Sequence, residues 1–286
     1  MNRALILLPI ALLVLGACSS LPKRPIPQAK QNADLLLQQA QRLEINRRLI
    51  DSIDGYESAL RSYELIDEME GQLICHLGIA RAQLQMGFPD DFNQTRQNLV
   101  TLIGYSTRDY SYYLRILDLH RLYQQQDWQG IRRIGENDRS YPEIAQIQIL
   151  SYRLQADARL MQVNPDAVTR LTRLTQLNYQ RLQKNRAINP EIVSTGYYTL
   201  AYYYLVHGRH DRAAKYIAKA KEIDFDYEIY LNLGFDLWLE AQIARVEGNT
   251  KAISGLLIRA RKIFQNYRES GMLRSIDKEL AALAKE

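Results

Sequence analysis

Three observations predict an all-helical body. Of the eight prolines, four fall by position 27 and only Pro89, Pro142, Pro165 and Pro190 follow, so about 260 residues run almost without helix breakers. From about residue 29 the apolar side chains recur at spacings of three and four, in blocks of about 15 to 20 residues parted by short turn signals. No stretch alternates polar with apolar residues for long enough to demand a sheet. The 286 residues are 47% apolar and carry only 2 Cys, which excludes a disordered tail and a disulfide scaffold.

The first element, residues 1–17, reads as an export signal. Arg3 supplies the positive start, Ala4 to Val14 is apolar throughout, and Gly16 and Ala17 precede Cys18. Such a segment is too short to span a bilayer. Leu15-Gly16-Ala17-Cys18 resembles the lipobox of bacterial lipoproteins, which implies cleavage before Cys18, lipidation of its sulfur and acylation of the new amino terminus. Several acyl chains make a stable anchor, at about 0.8 kcal/mol per buried methylene. Ser19, rather than Asp, after the Cys fits the pattern of lipoproteins sorted to the outer membrane of Gram-negative bacteria, facing the periplasm. Residues 18–28 follow as a tether, in which Pro22, Pro25 and Pro27 favour an extended spacer of about 3.1 Å per residue.

Residues 29–286 form the body. Ile144, Ile147, Leu150, Leu154, Ala158 and Met161 make one apolar helix face, and Val168, Leu171, Leu174 and Leu177 make the next. Between them Asn164-Pro165-Asp166 supplies a capping Asn, a Pro for the first helical position and an acid for the first turn. Asn189-Pro190-Glu191 repeats that start signal, and a short turn between amphipathic helices makes an antiparallel hairpin. Asp224, Asp226 and Glu228, which lack a calcium-loop glycine, read as another helix start.

Large and small residues then recur. Tyr197, Leu200, Ala201, Tyr204, Gly208, Ala213, Ile217 and Ala220 are echoed forty positions on by Leu237, Glu240, Ala241, Ala244, Gly248, Ile253, Leu257 and Ala260, with Glu240 the departure. Upstream, Ile74, Leu77 and Gly78 begin the pattern and Arg81 takes the next aromatic slot. The pattern resembles the tetratricopeptide repeat, although forty residues exceeds the family's usual period of about 34. The resemblance implies a right-handed α-solenoid of antiparallel helical hairpins.

Charge varies along the chain: residues 51–70 carry a net −6 and residues 150–190 a net +5. The overall +5 is too small to argue for nucleic acid. The nucleophile elbow, the phosphate-binding glycine loop, HExxH and paired CxxC are all absent from the sequence. Glu269-Ser270 is similar to the catalytic pair of lytic transglycosylases, but too little chain follows for that domain. Ser275 and Lys278 match a Ser-x-x-Lys without its companion elements. His207 and His210 flank a turn glycine without further ligands, and Cys75 reads as a small buried hydrophobe. No cofactor or metal is called for.

What remains is a binding surface. On the helix opened by Pro190, Tyr197, Leu200, Ala201 and Tyr204 share the core face, while Tyr198 and Tyr202 fall about 100° to 140° away and are candidate partner anchors on a concave groove. Arg212, Lys215 and Lys219 form a basic stripe on the next helix and are candidates for an acidic partner segment. The expected function is a non-catalytic, lipid-anchored adaptor or scaffold for protein partners in envelope assembly, serving outer-membrane protein, cell-wall or pilus and secretion machinery. The alternatives are an enzyme acting on peptidoglycan or polysaccharide, and a structural lipoprotein that associates with itself.

Overall fold

The computed structural model describes residues 26–134, 138–184, 188–246 and 248–284. The signal, Cys18 and most of the tether lie outside these residues. Thirteen helices and no strand are found among the described residues. They are α1 (Gln28–Ile45), α2 (Leu49–Leu65), α3 (Met69–Met86), α4 (Pro89–Gly104), α5 (Ser111–Gln124), α6 (Trp128–Arg133), α7 (Glu143–Arg159), α8 (Pro165–Gln183), α9 (Pro190–Val206), α10 (His210–Asp226), α11 (Tyr230–Val246), α12 (Thr250–Asn266) and α13 (Ser270–Leu283).

Local chemistry sets the boundaries. Asn164 Oδ1 accepts from the Ala167 amide at 3.1 Å and Asn189 Oδ1 from the Glu191 amide at 2.9 Å, each followed by Pro at the first helical position. Most turns place one residue in the left-handed region. In the first part of the chain these are Arg47, Asp67 and Gly87, and in the last part Gly208, Glu228, Gly248 and Arg268. Within each set they stand twenty residues apart, so helix plus turn repeats at twenty and a hairpin at forty. The forty-residue echo in the sequence is therefore the period of the fold. After such a turn the chain closes back on the helix: Arg209 N donates to Tyr204 O at 2.8 Å, and Asn249 N to Ala244 O at 3.0 Å.

Two expectations are corrected here. Met161 was expected on the apolar face of α7, yet it lies past the helix end in the left-handed region, 67% exposed. Asp224 and Asp226 do not start a helix: they close α10, and Glu228 takes the left-handed turn before α11.

Each even-numbered helix packs chiefly against the helices before and after it, with only side-chain contacts such as Tyr179 to Glu222 joining α8 to α10, whereas the backbones of odd-numbered helices also approach one another, from α1 through α3, α5, α7 and α9 to α11. Closer spacing among odd helices bends the stack, with the odd layer on the inside. Buried residues form four overlapping clusters along the chain, so each hairpin completes its core against its neighbours. The last helix docks through a polar contact, with Glu279 accepting from Trp238 Nε1 (3.1 Å), Gln242 Nε2 (2.9 Å) and Arg245 Nη2 (2.7 Å).

The bend brings the ends together. Arg47 Nη2, in the turn between α1 and α2, pairs with Glu269 Oε2 before α13 at 2.9 Å, and Asn46 to Arg48 face Asn266 to Glu269 across a cleft. Arg47 sits at the end of an odd helix and Glu269 at the start of one. Opposite rims therefore meet, and the ends are offset along the helix direction by about one helix length, ~25 Å, instead of closing a flat ring.

Candidate functional site

Counting six residues back from a left-handed turn residue identifies one position on the inner layer. It is Arg81 before Gly87, His120 before Gln126, Gln155 before Met161, Tyr202 before Gly208 and Gln242 before Gly248. A shared register on helices of one layer gives a shared direction. The sequence alignment that put Arg81 in the slot of Tyr204 is thereby shifted by two: Arg81 matches Tyr202, the inward position.

One end of this groove is ionic. Arg81 Nε donates to Glu44 Oε1 at 2.9 Å and Nη2 to Oε2 at 2.7 Å, and the Tyr56 hydroxyl also donates to Glu44. Tyr56 reaches it because Gly78 leaves room, since a methyl group there would lie inside the Tyr56 ring. The Arg81 and Glu44 side chains keep 25% and 12% of their surface accessible, as expected of groups enclosed in a groove but open along it. Burial would raise the Glu44 carboxyl, but the charge and hydrogen bonds of Arg81, joined by Tyr56, outweigh burial and hold it below the usual range.

His120 Nδ1 shares a hydrogen bond with the Tyr152 hydroxyl at 2.9 Å, and its buried Nε2 has no partner among the described residues. Burial, aided by Arg81, pushes this imidazole down to about 4, so it is neutral at pH 7. Glu191, in the first turn of α9, feels the charges of Arg81 and Glu44. Burial raises its carboxyl, Arg81 opposes that and Glu44 adds to it.

The other end is aromatic. The Tyr123 ring meets Trp128 edge-on at 5.3 Å and Tyr152 at 5.6 Å. The Arg159 guanidinium lies over the Trp128 ring at 5.7 Å and over the Tyr202 ring at 5.3 Å. Tyr198 is within electrostatic reach of Tyr123, Asp236, Tyr202 and Arg159, and burial raises its phenol.

Tyr198 and Tyr202, both half-buried, thus stand on the inner layer. The basic stripe is elsewhere. Arg212 donates to the Tyr204 hydroxyl at 3.2 Å and covers its ring at 5.3 Å. Lys219 covers Tyr179 and Tyr197 at 5.5 and 5.1 Å, and Lys215 is exposed. Arg212 and Lys219 brace the stack of Tyr197, Tyr216 and Tyr204 where α10 packs on α9. The structure does not bring Arg212, Lys215 and Lys219 to the two tyrosines.

The remaining motifs have structural placements. His207 stacks on Tyr203 at 4.2 Å and its Nε2 meets the Gln162 carbonyl at 3.1 Å, while His210 opens α10. Ser275 and Lys278 are exposed on α13. Cys75 is fully buried, and burial raises its thiol to about 12. No group of three or more His, Cys, Asp and Glu side chains gathers as a metal site among the described residues. No described helix is long and apolar enough to cross a membrane.

Sequence reading missed the buried carboxyl pair of Asp224 and Asp236, each 1% exposed. Burial raises both, and for Asp236 the neighbouring Asp224 charge adds to it. It also missed the ionic end of the groove, for which the available signal was the six-residue count back from each turn. No protein-family model matches the chain, and no curated protein matches it.

Proposed function

We propose that this protein is a lipid-anchored, periplasm-facing adaptor of the bacterial outer membrane, a right-handed tetratricopeptide-like superhelix that binds a segment of an envelope protein along its inner face. The observation that carries this reading is the inner row, in which aromatic and hydrogen-bonding side chains from successive odd helices share one register around Tyr202. A concave surface of this kind suits an extended or helical segment, and tyrosines give large contact area at little entropy cost. The anchor rests on Leu15 to Cys18 and the apolar run before them.

In-cell crosslinking of the lipidated protein, followed by mass spectrometry, tests the reading. The expected result is one recurring envelope complex with crosslinks concentrated on α5, α7 and α9. Replacing both Tyr198 and Tyr202 with Ala should reduce its recovery about tenfold or more; unchanged recovery rejects the groove. Cys18→Ser should release the protein from membranes, and an unaltered distribution rejects the anchor.

A second reading is favoured by one observation: Glu44 and Glu191 share the groove with carboxyls pushed in opposite directions, the arrangement of acid and base pairs in glycoside chemistry. Against it, Glu44 is held by Arg81 and Tyr56. Cleavage of isolated cell wall by the wild type and not by Glu191→Gln would establish the enzyme.

A further inference from the structure

Arg159, the last residue of α7, differs from the other arginines of the groove and its ends. Arg81 is taken by Glu44, Arg245 by Glu279 and Arg47 by Glu269. Arg159 is exposed, and among the described residues no carboxylate lies within ion-pair distance and no acceptor takes its N–H groups. Its contacts are the rings of Trp128 and Tyr202. Rings hold a guanidinium without consuming its donors, and they restrict the side chain before any ligand arrives. Little further ordering is then needed on binding.

From this we infer that Arg159 anchors a carboxylate carried by an extended protein segment lying along the inner face. The inference rests on the adaptor reading and adds a chemical identity to the partner: an acidic side chain or a free C-terminus, set beside apolar residues. Charge selects carboxylate over phosphate. The neighbouring Arg132 pairs with Asp157 at 2.9 Å, so Arg159 alone stands over the Trp128 and Tyr202 rings, and one guanidinium there suits a monoanion better than a group of nearly two negative charges. The flanking Tyr123, Tyr198 and Tyr202 supply rings and hydroxyls for the rest of the segment.

The test pans full-length protein, purified in detergent, against a random 12-residue peptide library, in parallel with Arg159→Gln and Arg132→Gln. Enriched peptides should share an Asp, Glu or C-terminal carboxylate at a fixed position. Arg159→Gln should lose that preference and bind a synthetic copy on the order of tenfold to a hundredfold more weakly, while Arg132→Gln changes binding little. An unchanged thermal midpoint shows that Arg159→Gln is folded. Enriched peptides without a shared carboxylate, or a preference that survives Arg159→Gln, overturn the anchor and leave the adaptor standing. A wild type that enriches no peptide overturns both.

Discussion

At the scale of single residues, the groove and the joint beside it depend on charges taken partly out of water. The Glu44–Arg81 pair is bidentate and supported by a third hydrogen bond, which offsets desolvation. Asp224 and Asp236 have no such support. Both oxygens of Asp224 and one of Asp236 lack a partner among the described residues, and the groups facing the pair are Ser194 and Glu191 of α9, Lys221 of α10 and Glu240 of α11. Two raised carboxyls bind more protons folded than unfolded. Their stabilising effect is thus complete below the unfolded value of about 3.9 and declines as pH rises from there. Asp236→Asn should flatten that slope, giving a protein more stable than wild type at pH 8 by on the order of 1 kcal/mol and little changed at pH 4. Urea midpoints across this range decide it, and parallel curves for the two proteins contradict a raised Asp236 carboxyl.

Among the elements, the turns carry the period. Gly208 adopts φ 69° with nothing within 4 Å of where a Cβ would stand, so Gly208→Ala isolates backbone strain and should cost about 1 kcal/mol. Met161 occupies the same kind of turn at φ 56° with its side chain in solvent, so Met161→Gly should gain about 0.5 kcal/mol after the entropy of the added glycine is counted. Thermal melts of both variants should shift in opposite directions. Shifts of the same sign would mean that the two turns are not equivalent. The regular turns were legible where glycine filled them, at Gly208 and Gly248. They were hidden at Arg47, Glu228 and Arg268, because a long side chain in the left-handed region gives no signal of its own. Both departures from the repeat, Arg81 and Glu240, became charged pairs, with Glu44 and with Lys221 at 2.6 Å.

For the whole molecule, the contact between opposite rims sets how far the stack winds. The Arg47–Glu269 pair keeps 35% and 25% of its side-chain surface accessible, so it adds at most about 1 kcal/mol to stability. It acts instead on shape, because small rotations per hairpin accumulate over the array and one contact at the ends fixes their sum. Arg47→Glu should place like charges at the junction and raise the radius of gyration measured by X-ray scattering, with the melting midpoint almost unmoved. Combining it with Glu269→Arg should restore the compact form. An unchanged radius in Arg47→Glu would mean that core packing alone holds the ends together.

The sequence by itself determined the helices, their caps at Asn164 and Asn189, the forty-residue period and the core face of Tyr197, Leu200, Ala201 and Tyr204, because each depends on residues within a few positions of one another. It also marked Tyr198 and Tyr202 as lying off that face. Only the tertiary structure decided what stands beside them. Glu44, Arg81, His120, Tyr152 and Glu191 come from five odd helices, one residue from each. Nothing local joins them. They meet because odd helices pack more closely than even ones, and that curvature depends on how side chains such as Tyr56 and Gly78 fit between layers.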